Sequence, residues 1–210
     1  MIQVLIADDH SILRRGLAQI ISEADGMQVC GEAENGAQAA KLSRELEVDV
    51  VLLDITMPDR NGLDTLRQLK KEKPKLAVLM LSMHAEEIYA LRALKAGASG
   101  YLNKASAPAL LVNAIRQVAS GRKYISPAVA EILATSITDG TAEALHETLS
   151  DREYQTMTLI ASGKTLSIIA AEMSLSPKTV SVYRARLLQK LQLKNNSELT
   201  HYALKNQLVD

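Results

Sequence analysis

The stretch "VVLLDITMPDRNG", residues 50–62, decides how the chain is read. Val50, Val51, Leu52, Leu53 and Ile55 are aliphatic, and one carboxylate, Asp54, stands among them. A charge taken from water costs free energy unless a partner offsets it. The apolar run breaks within a few residues at a proline and then Gly62, the marks of a turn. Asp54 therefore belongs at a strand end, in a place where something answers its charge.

Working outward, "DVVLL" (49–53) is one of five short aliphatic or β-branched runs. The others are "IQVLIA" (2–7), "MQVCGEA" (27–33), "LAVLMLS" (76–82) and "GYLN" (100–103). Helical periodicity fills the gaps. In "SILRRGLAQIIS", Leu13, Leu17, Ile20 and Ile21 recur at spacings of about 3 to 4. "NGAQAAKLSREL", "NGLDTLRQLKKE", "AEEIYALRALKAG" and "PALLVNAIRQVASG" behave likewise, and the last two stop on Gly. Five strands alternating with five helices predict an α/β flavodoxin-like domain over residues 1–121. Its sheet is expected to be parallel, covered on both faces, with strand order 2-1-3-4-5.

Residues 122–147 change character. "PAVAEILATSI" reads as one helix and "TDGTAEALHE" as small and polar, so this region is expected to be a linker carrying a helix. From residue 148 to 210 the pattern is helical only. "LSDREYQTMTLIASG" opens with Ser150 and has Glu153 three residues on, a capping box. "TLSIIAAEM" is short. "LSPKTVSVYRARLLQKLQL" starts with Ser176 as N-cap and Pro177 at the first helical position. "NSELTHYALKNQL" is the fourth helix of an all-α domain.

The formal net charge of +0 points to no partner, but the two halves differ. Residues 1–146 hold 16 Lys/Arg against 18 Asp/Glu, a net −2, and residues 147–210 hold 8 against 6, a net +2. Within 174–197 stand Lys178, Arg184, Arg186, Lys190 and Lys194 with no acidic residue. No apolar run approaches the roughly 18 residues of a membrane helix. "MIQVLIADDH" has no basic stretch before its apolar run and is not read as a signal peptide. A single cysteine, Cys30, fits a reducing cytoplasm and is expected to be a packed strand thiol. With no Trp and no Phe, the core must be aliphatic.

In an open parallel sheet, ligands bind beyond the C-terminal strand ends, where the connections diverge. Asp8 and Asp9 follow the first strand and Asp54 the third, so three carboxylates converge. Like charges that close repel, and one pKa rises unless a cation is present. Three oxygens with open water positions suit Mg²⁺. Ser82 ends the fourth strand and offers a hydroxyl; Lys104 lies just past the fifth and offers an ammonium. Singly, the bland readings win: an Asp pair after a strand is most often a helix N-cap, and a lone Lys or Ser a surface or turn residue. Together, four strand ends each supply what phosphoryl transfer needs, with Asp54 as nucleophile forming an acyl phosphate.

"ADDH", "LLDITMPDRNG", "LMLSMH" and "GYLNK" resemble the signature segments of response-regulator receiver domains, and residues 149–191 resemble the LuxR-type helix-turn-helix. The combination resembles the NarL/FixJ family of two-component transcription regulators, over nearly the whole chain apart from the linker. The resemblance implies that Asp54 is the phosphoacceptor, fed by a sensor histidine kinase. It further implies that Asp9 binds Mg²⁺ directly, Asp8 through water, and the Thr56 backbone carbonyl as a third ligand. Ser82 and Tyr101 resemble the switch pair, although Tyr101 read alone is an edge-strand aromatic packing on the fourth helix. Thr56 and His84, each two residues beyond a site group, are placed to modulate slow self-dephosphorylation; read alone, His84 only begins a helix.

On the helix after Ser176, Val180, Leu187 and Leu191 fall on one side and should pack inward. Lys178, Val182, Ala185, Arg186 and Gln189 lie broadly opposite, with Ser181 at their margin, and Thr179 is counted with them as a candidate DNA contact. Such a basic, acid-free face belongs in the major groove of promoter DNA, or is simply a solvated face of a bundle. Arg184, Lys190 and Lys194 lie off that face as phosphate clamps. The family usually carries Asn-Lys-Glu where this chain has Leu166, Ser167 and Ile168, which removes a polar site there. Small groove-facing residues leave more of the specificity to DNA shape.

The expected function is a cytoplasmic, phosphorylation-controlled regulator, dimeric when phosphorylated and with no membrane partner. An aspartate-nucleophile phosphatase would need a second Asp at position 56, where Thr56 stands. A nucleotide-binding domain would need a Gly-rich loop after the first strand, which is missing. A receiver that binds DNA constitutively is the third alternative.

Overall fold

The alternating runs become a chain of β1 (Ile2–Ala7), α1 (Ser11–Ser22), β2 (Met27–Ala33), α2 (Gly36–Glu45), β3 (Val50–Asp54), α3 (Gly62–Glu72), β4 (Ala77–Ser82), α4 (Glu86–Lys95), β5 (Gly100–Asn103) and α5 (Pro108–Ala119). After these come α6 (Pro127–Thr138), a 3₁₀ turn (Leu145–Thr148), α7 (Asp151–Ala161), α8 (Leu166–Glu172), α9 (Pro177–Lys190) and α10 (Asn196–Lys205). This computed structural model describes residues 1–57, 61–82, 86–105, 108–138, 145–206 and 208–209. They divide into two compact units, Met1–Thr135 and Ser136–Asp210.

In the first unit the sheet is parallel throughout and runs β2-β1-β3-β4-β5, the expected order. Every residue of β3 and β4 is buried, as continuous apolar strands between two helical layers must be. Val4, Ile6, Leu52, Leu79 and Leu81 pack with Leu17 and Ile21 of α1 and Leu111, Ile115 and Val118 of α5. The alternate residues Leu5, Val51, Leu53 and Met80 are equally buried on the opposite face, the side of Leu63, Leu66 and Leu69 of α3. Between β1 and β2 the register slips after Val4, where Val29 and then Gly31 are the partners, so Cys30 is bulged out. It is half-buried there, and burial pushes its thiol pKa up.

One boundary differs from the sequence expectation in a way that matters. β3 extends through Asp54, which pairs with Leu81, so the carboxylate is part of the ladder rather than beyond it. The turn that follows explains Gly62. A Cβ at Gly62 would lie 2.0 Å from the backbone oxygen of Asp54, and its N–H donates to the Ile55 oxygen at 2.8 Å. The chain folds back directly over the Asp54 backbone, and no side chain fits.

The second unit is built of capped helices, and the sequence announced the caps of α7 and α9. Ser150 and Glu153 form the reciprocal capping box of α7. Thr165, Ser176 and Asn195 cap α8, α9 and α10, and Pro177 opens α9. Tyr154, Met157, Ile169, Met173, Val180, Leu187, Leu191, Leu199 and Ala203 are among its buried residues. The turn after α8 and the turn after α9 pass through the left-handed region at Ser174 (φ 53°) and Gln192 (φ 58°), without the glycine that usually marks such a stop. The 3₁₀ turn had no signal within the polar linker.

Candidate functional site

Three strand ends assemble the acidic pocket. β1 delivers Asp8 and Asp9, and β3 delivers Asp54 across the β1–β3 pairing. One oxygen from each carboxylate and a ring nitrogen of His10 lie within 4.8 Å of one another. Asp8 and Asp54 are buried and Asp9 sits at the exposed rim. From β5, Lys104 enters with its side chain 3 % exposed, its Nζ 2.6 Å from Asp8 Oδ2 and 2.8 Å from Asp54 Oδ2. Its backbone N–H is fixed on the Ser82 carbonyl at 2.8 Å.

Burial raises the pKa of the Asp54 carboxyl to about 6, against the pull of the Lys104 ammonium, with Asp8 adding to the rise. The Thr56 N–H donates to the same carboxylate. Asp8 Oδ2 and Asp54 Oδ2 receive no hydrogen bond of good angle from the described residues; what each has is the Lys104 ammonium at ion-pair distance. Two buried oxygens sharing one ammonium, beside an exposed third carboxylate, form a donor set that fits a hard divalent ion.

Asp8, Asp9, Asp54 and Lys104 are thus brought together. Ser82 is buried at the end of β4, opposite Asn103, and Tyr101 is buried in β5 opposite Met80. His84 lies outside the described residues. Two residues escaped the sequence reading. His10 places Nδ1 2.8 Å from Asp9 Oδ1, and its N–H donates to Asp8 Oδ1 at 2.8 Å; three consecutive titratable residues after a strand were the available signal. Arg14 is buried with Leu17 and Ile21 on the inner face of α1. A cation at spacings of 3 and 7 from core residues was the signal there.

On α9, Lys178, Ser181, Val182, Ala185, Arg186 and Gln189 are exposed, and Val180 and Leu187 are buried, as the angular reading required. Lys178, Arg186 and Lys194 make no ion pair among the described residues. The other two cations are engaged. Arg184 Nε donates to Asn196 Oδ1 at 2.6 Å. Lys190, expected as a phosphate clamp, has Nζ 2.6 Å from Oε2 of the buried Glu153, a contact that ties α9 to α7. Thr179 spends its hydroxyl on the helix cap, 2.8 Å from Ser176 Oγ. Ile168 on α8 is exposed, an apolar residue at the surface.

Residues 4–116 match the family described as response regulator receiver domain, and residues 147–203 match bacterial regulatory proteins, luxR family. The chain is a response regulator. Response regulator UvrY of Escherichia coli (strain K12) is 40% identical over 211 residues, covering 100% of this chain and 97% of that one. Response regulator GacA of Pseudomonas aeruginosa is 38% identical over 211 residues, with 100% and 99% covered. Among solved structures, RcsB from Salmonella enterica serovar Typhimurium, bound to promoter rprA in the presence of the phosphomimetic BeF₃⁻, is 25% identical with a TM-score of 0.64. That match covers 96% of this response regulator and 97% of RcsB. A LuxR-family two-component response regulator from Aurantimonas is 36% identical with a TM-score of 0.61, over 64% of this chain and 96% of that one. No helix among the described residues is long and apolar enough to cross a membrane.

Proposed function

We propose that Asp54 is the phosphoacceptor of a two-component switch and that α9 carries the output to double-stranded promoter DNA. The observation that carries the reading is the Lys104 ammonium bridging the buried Asp54 and Asp8, with Asp9 and His10 exposed beside them. A sensor histidine kinase would present a phosphohistidine. Its P–N bond breaks, the imidazole keeps the electron pair, and an Asp54 oxygen forms the new P–O bond. Mg²⁺ held by Asp9, Asp54 and the Thr56 carbonyl, with Asp8 through water, would offset charge on the transferring group. Lys104 then exchanges a carboxylate for a phosphoryl oxygen. Ser82 and Tyr101 relay the change, and Thr56 and His84, each two residues along the chain from a site group, govern how fast water removes the phosphate.

In this reading residues 1–121 receive the signal, 122–147 link, and 148–210 bind DNA, all in the cytoplasm. Lys178, Ser181, Val182, Ala185, Arg186 and Gln189 face the groove, with Arg184 and Lys194 beside them. Phosphorylation favours a dimer, whose two-fold axis matches a palindromic site. The test is labelling by acetyl phosphate with Mg²⁺. Asp54→Asn is expected to abolish the label and Asp9→Ala nearly to do so. Wild-type stoichiometry on Asp54→Asn removes Asp54 from the nucleophile role.

A further inference from the structure

We infer that Arg14 is a positioning residue for the cation site: it holds the Asp8–Asp9 segment in the shape that presents both carboxylates to one ion. The inference rests on the proposed Mg²⁺ role of that pocket. The side chain of Arg14 is 9 % exposed, and all three arms of its fork are committed. Nη1 donates to the Asp8 backbone oxygen at 2.7 Å, Nε to Glu32 Oε2 at 2.9 Å, and Nη2 to Glu34 Oε1 at 2.8 Å. The two glutamates flank Ala33, whose oxygen receives the Asp8 N–H at 3.0 Å.

Asp8 is therefore gripped on every polar atom. β2 takes its N–H, Arg14 its carbonyl, His10 one carboxylate oxygen and Lys104 the other. Of these four, Arg14 alone acts on the peptide between Asp8 and Asp9, and so on where Asp9 points. Glu32 and Glu34 are half-exposed to exposed and serve to aim the guanidinium. Only a planar fork serves three acceptors at fixed angles; a lysine ammonium cannot reproduce it.

Charge and position predict opposite signs, which makes the inference testable. Arg14→Met deletes a cation near the pocket and leaves Glu32 and Glu34 unanswered. If Arg14 acted by charge alone, Mg²⁺ would bind more tightly. If it acts by position, Mg²⁺ binds more weakly, by about ten-fold, the scale on which partners behind metal ligands act. Arg14→Lys, the milder variant, keeps the charge and loses the fork; position predicts weakening there too, charge predicts none. The experiment is calorimetric titration of Mg²⁺ into the whole chain, wild type and both variants. Ile21→Ala on the same helix, at a core residue away from the cluster, serves as a control that loses stability, and is expected to keep the wild-type dissociation constant. Weakened binding in Arg14→Lys with an unchanged control supports the inference. A wild-type constant in Arg14→Lys, tighter binding in Arg14→Met, or equal weakening in Ile21→Ala overturns it. Wild-type protein that binds no Mg²⁺, or binds it equally well as Asp9→Ala, removes the pocket's cation role itself.

Discussion

Asp54 is held where it is less comfortable ionised than it would be in water, and that has a measurable sign. Its folded pKa of about 6 lies above the ordinary carboxyl value of 3.8, chiefly through burial. The folded state then binds its proton more tightly than the unfolded chain, so stability falls as pH rises from about 4 to about 6 and stays lowered above that. Two pH units correspond to roughly 2–3 kcal/mol. In metal-free buffer, Asp54→Asn is expected to be more stable than wild type near neutrality, with the difference closing toward pH 4. Urea midpoints of both proteins across that range decide it; a gap that does not change with pH removes desolvation as the cause. The carboxylates themselves were legible in the sequence, because each stands at the end of an apolar run. Arg14 and His10 were not singled out, because their meaning comes from groups on β2 and in the Asp8–Asp9 segment that spacing alone does not bring together. Gly62 was visible only as a turn signal. Its real constraint is the Asp54 carbonyl, and Gly62→Ala is expected to lower stability and labelling together, as measured by thermal melts and acetyl phosphate incorporation.

At the scale of elements, the caps were the most readable feature: Ser150, Ser176 and Pro177 announce α7 and α9 by local chemistry alone. The turns at Ser174 and Gln192 were not, since neither residue advertises a positive φ. The Lys190–Glu153 tie was hidden for a different reason. Its partners are 37 residues apart on separate helices, and only packing joins them. Burial works against the Glu153 carboxylate, but the bonds from Lys190 and Ser150 outweigh it and hold its pKa below the usual value. This separates two kinds of cation on one helix. Arg186→Ala is expected to lower the slope of log affinity against log salt by about 0.9, the loss of one phosphate contact. Lys190→Ala is expected to leave that slope nearly unchanged and to lower the urea midpoint of the helical domain. DNA titrations at several salt concentrations, with denaturation run alongside, tell the two apart. A slope change for Lys190→Ala as large as for Arg186→Ala restores it as a phosphate clamp.

For the whole molecule, the question is how a phosphoryl group in the first unit reaches DNA through the second. It can shift a balance only through contacts that differ between two states. Ser82 ends β4, one residue past Leu81, the partner of Asp54, and Tyr101 is buried in β5, the next strand. In the proposed switch they translate a change at Asp54 into a change of the surface around β5. Tyr101→Ala is therefore expected to accept label at the wild-type level while losing the effect of label on DNA affinity. The second unit carries its own caps and its own buried set, so residues 147–210 are expected to fold when cut away and to bind DNA weakly without any phosphate. The unphosphorylated whole chain should bind no better than that fragment, and the phosphorylated chain better, because a dimer doubles the contact on a palindromic site. The measurement is one titration series at a single salt concentration, with fragment, whole chain, labelled whole chain and labelled Tyr101→Ala on the same DNA. Equal affinity of the whole chain with and without label means that no switch operates and that the regulator binds DNA constitutively. Equal affinity only in Tyr101→Ala places the relay at the β5 tyrosine.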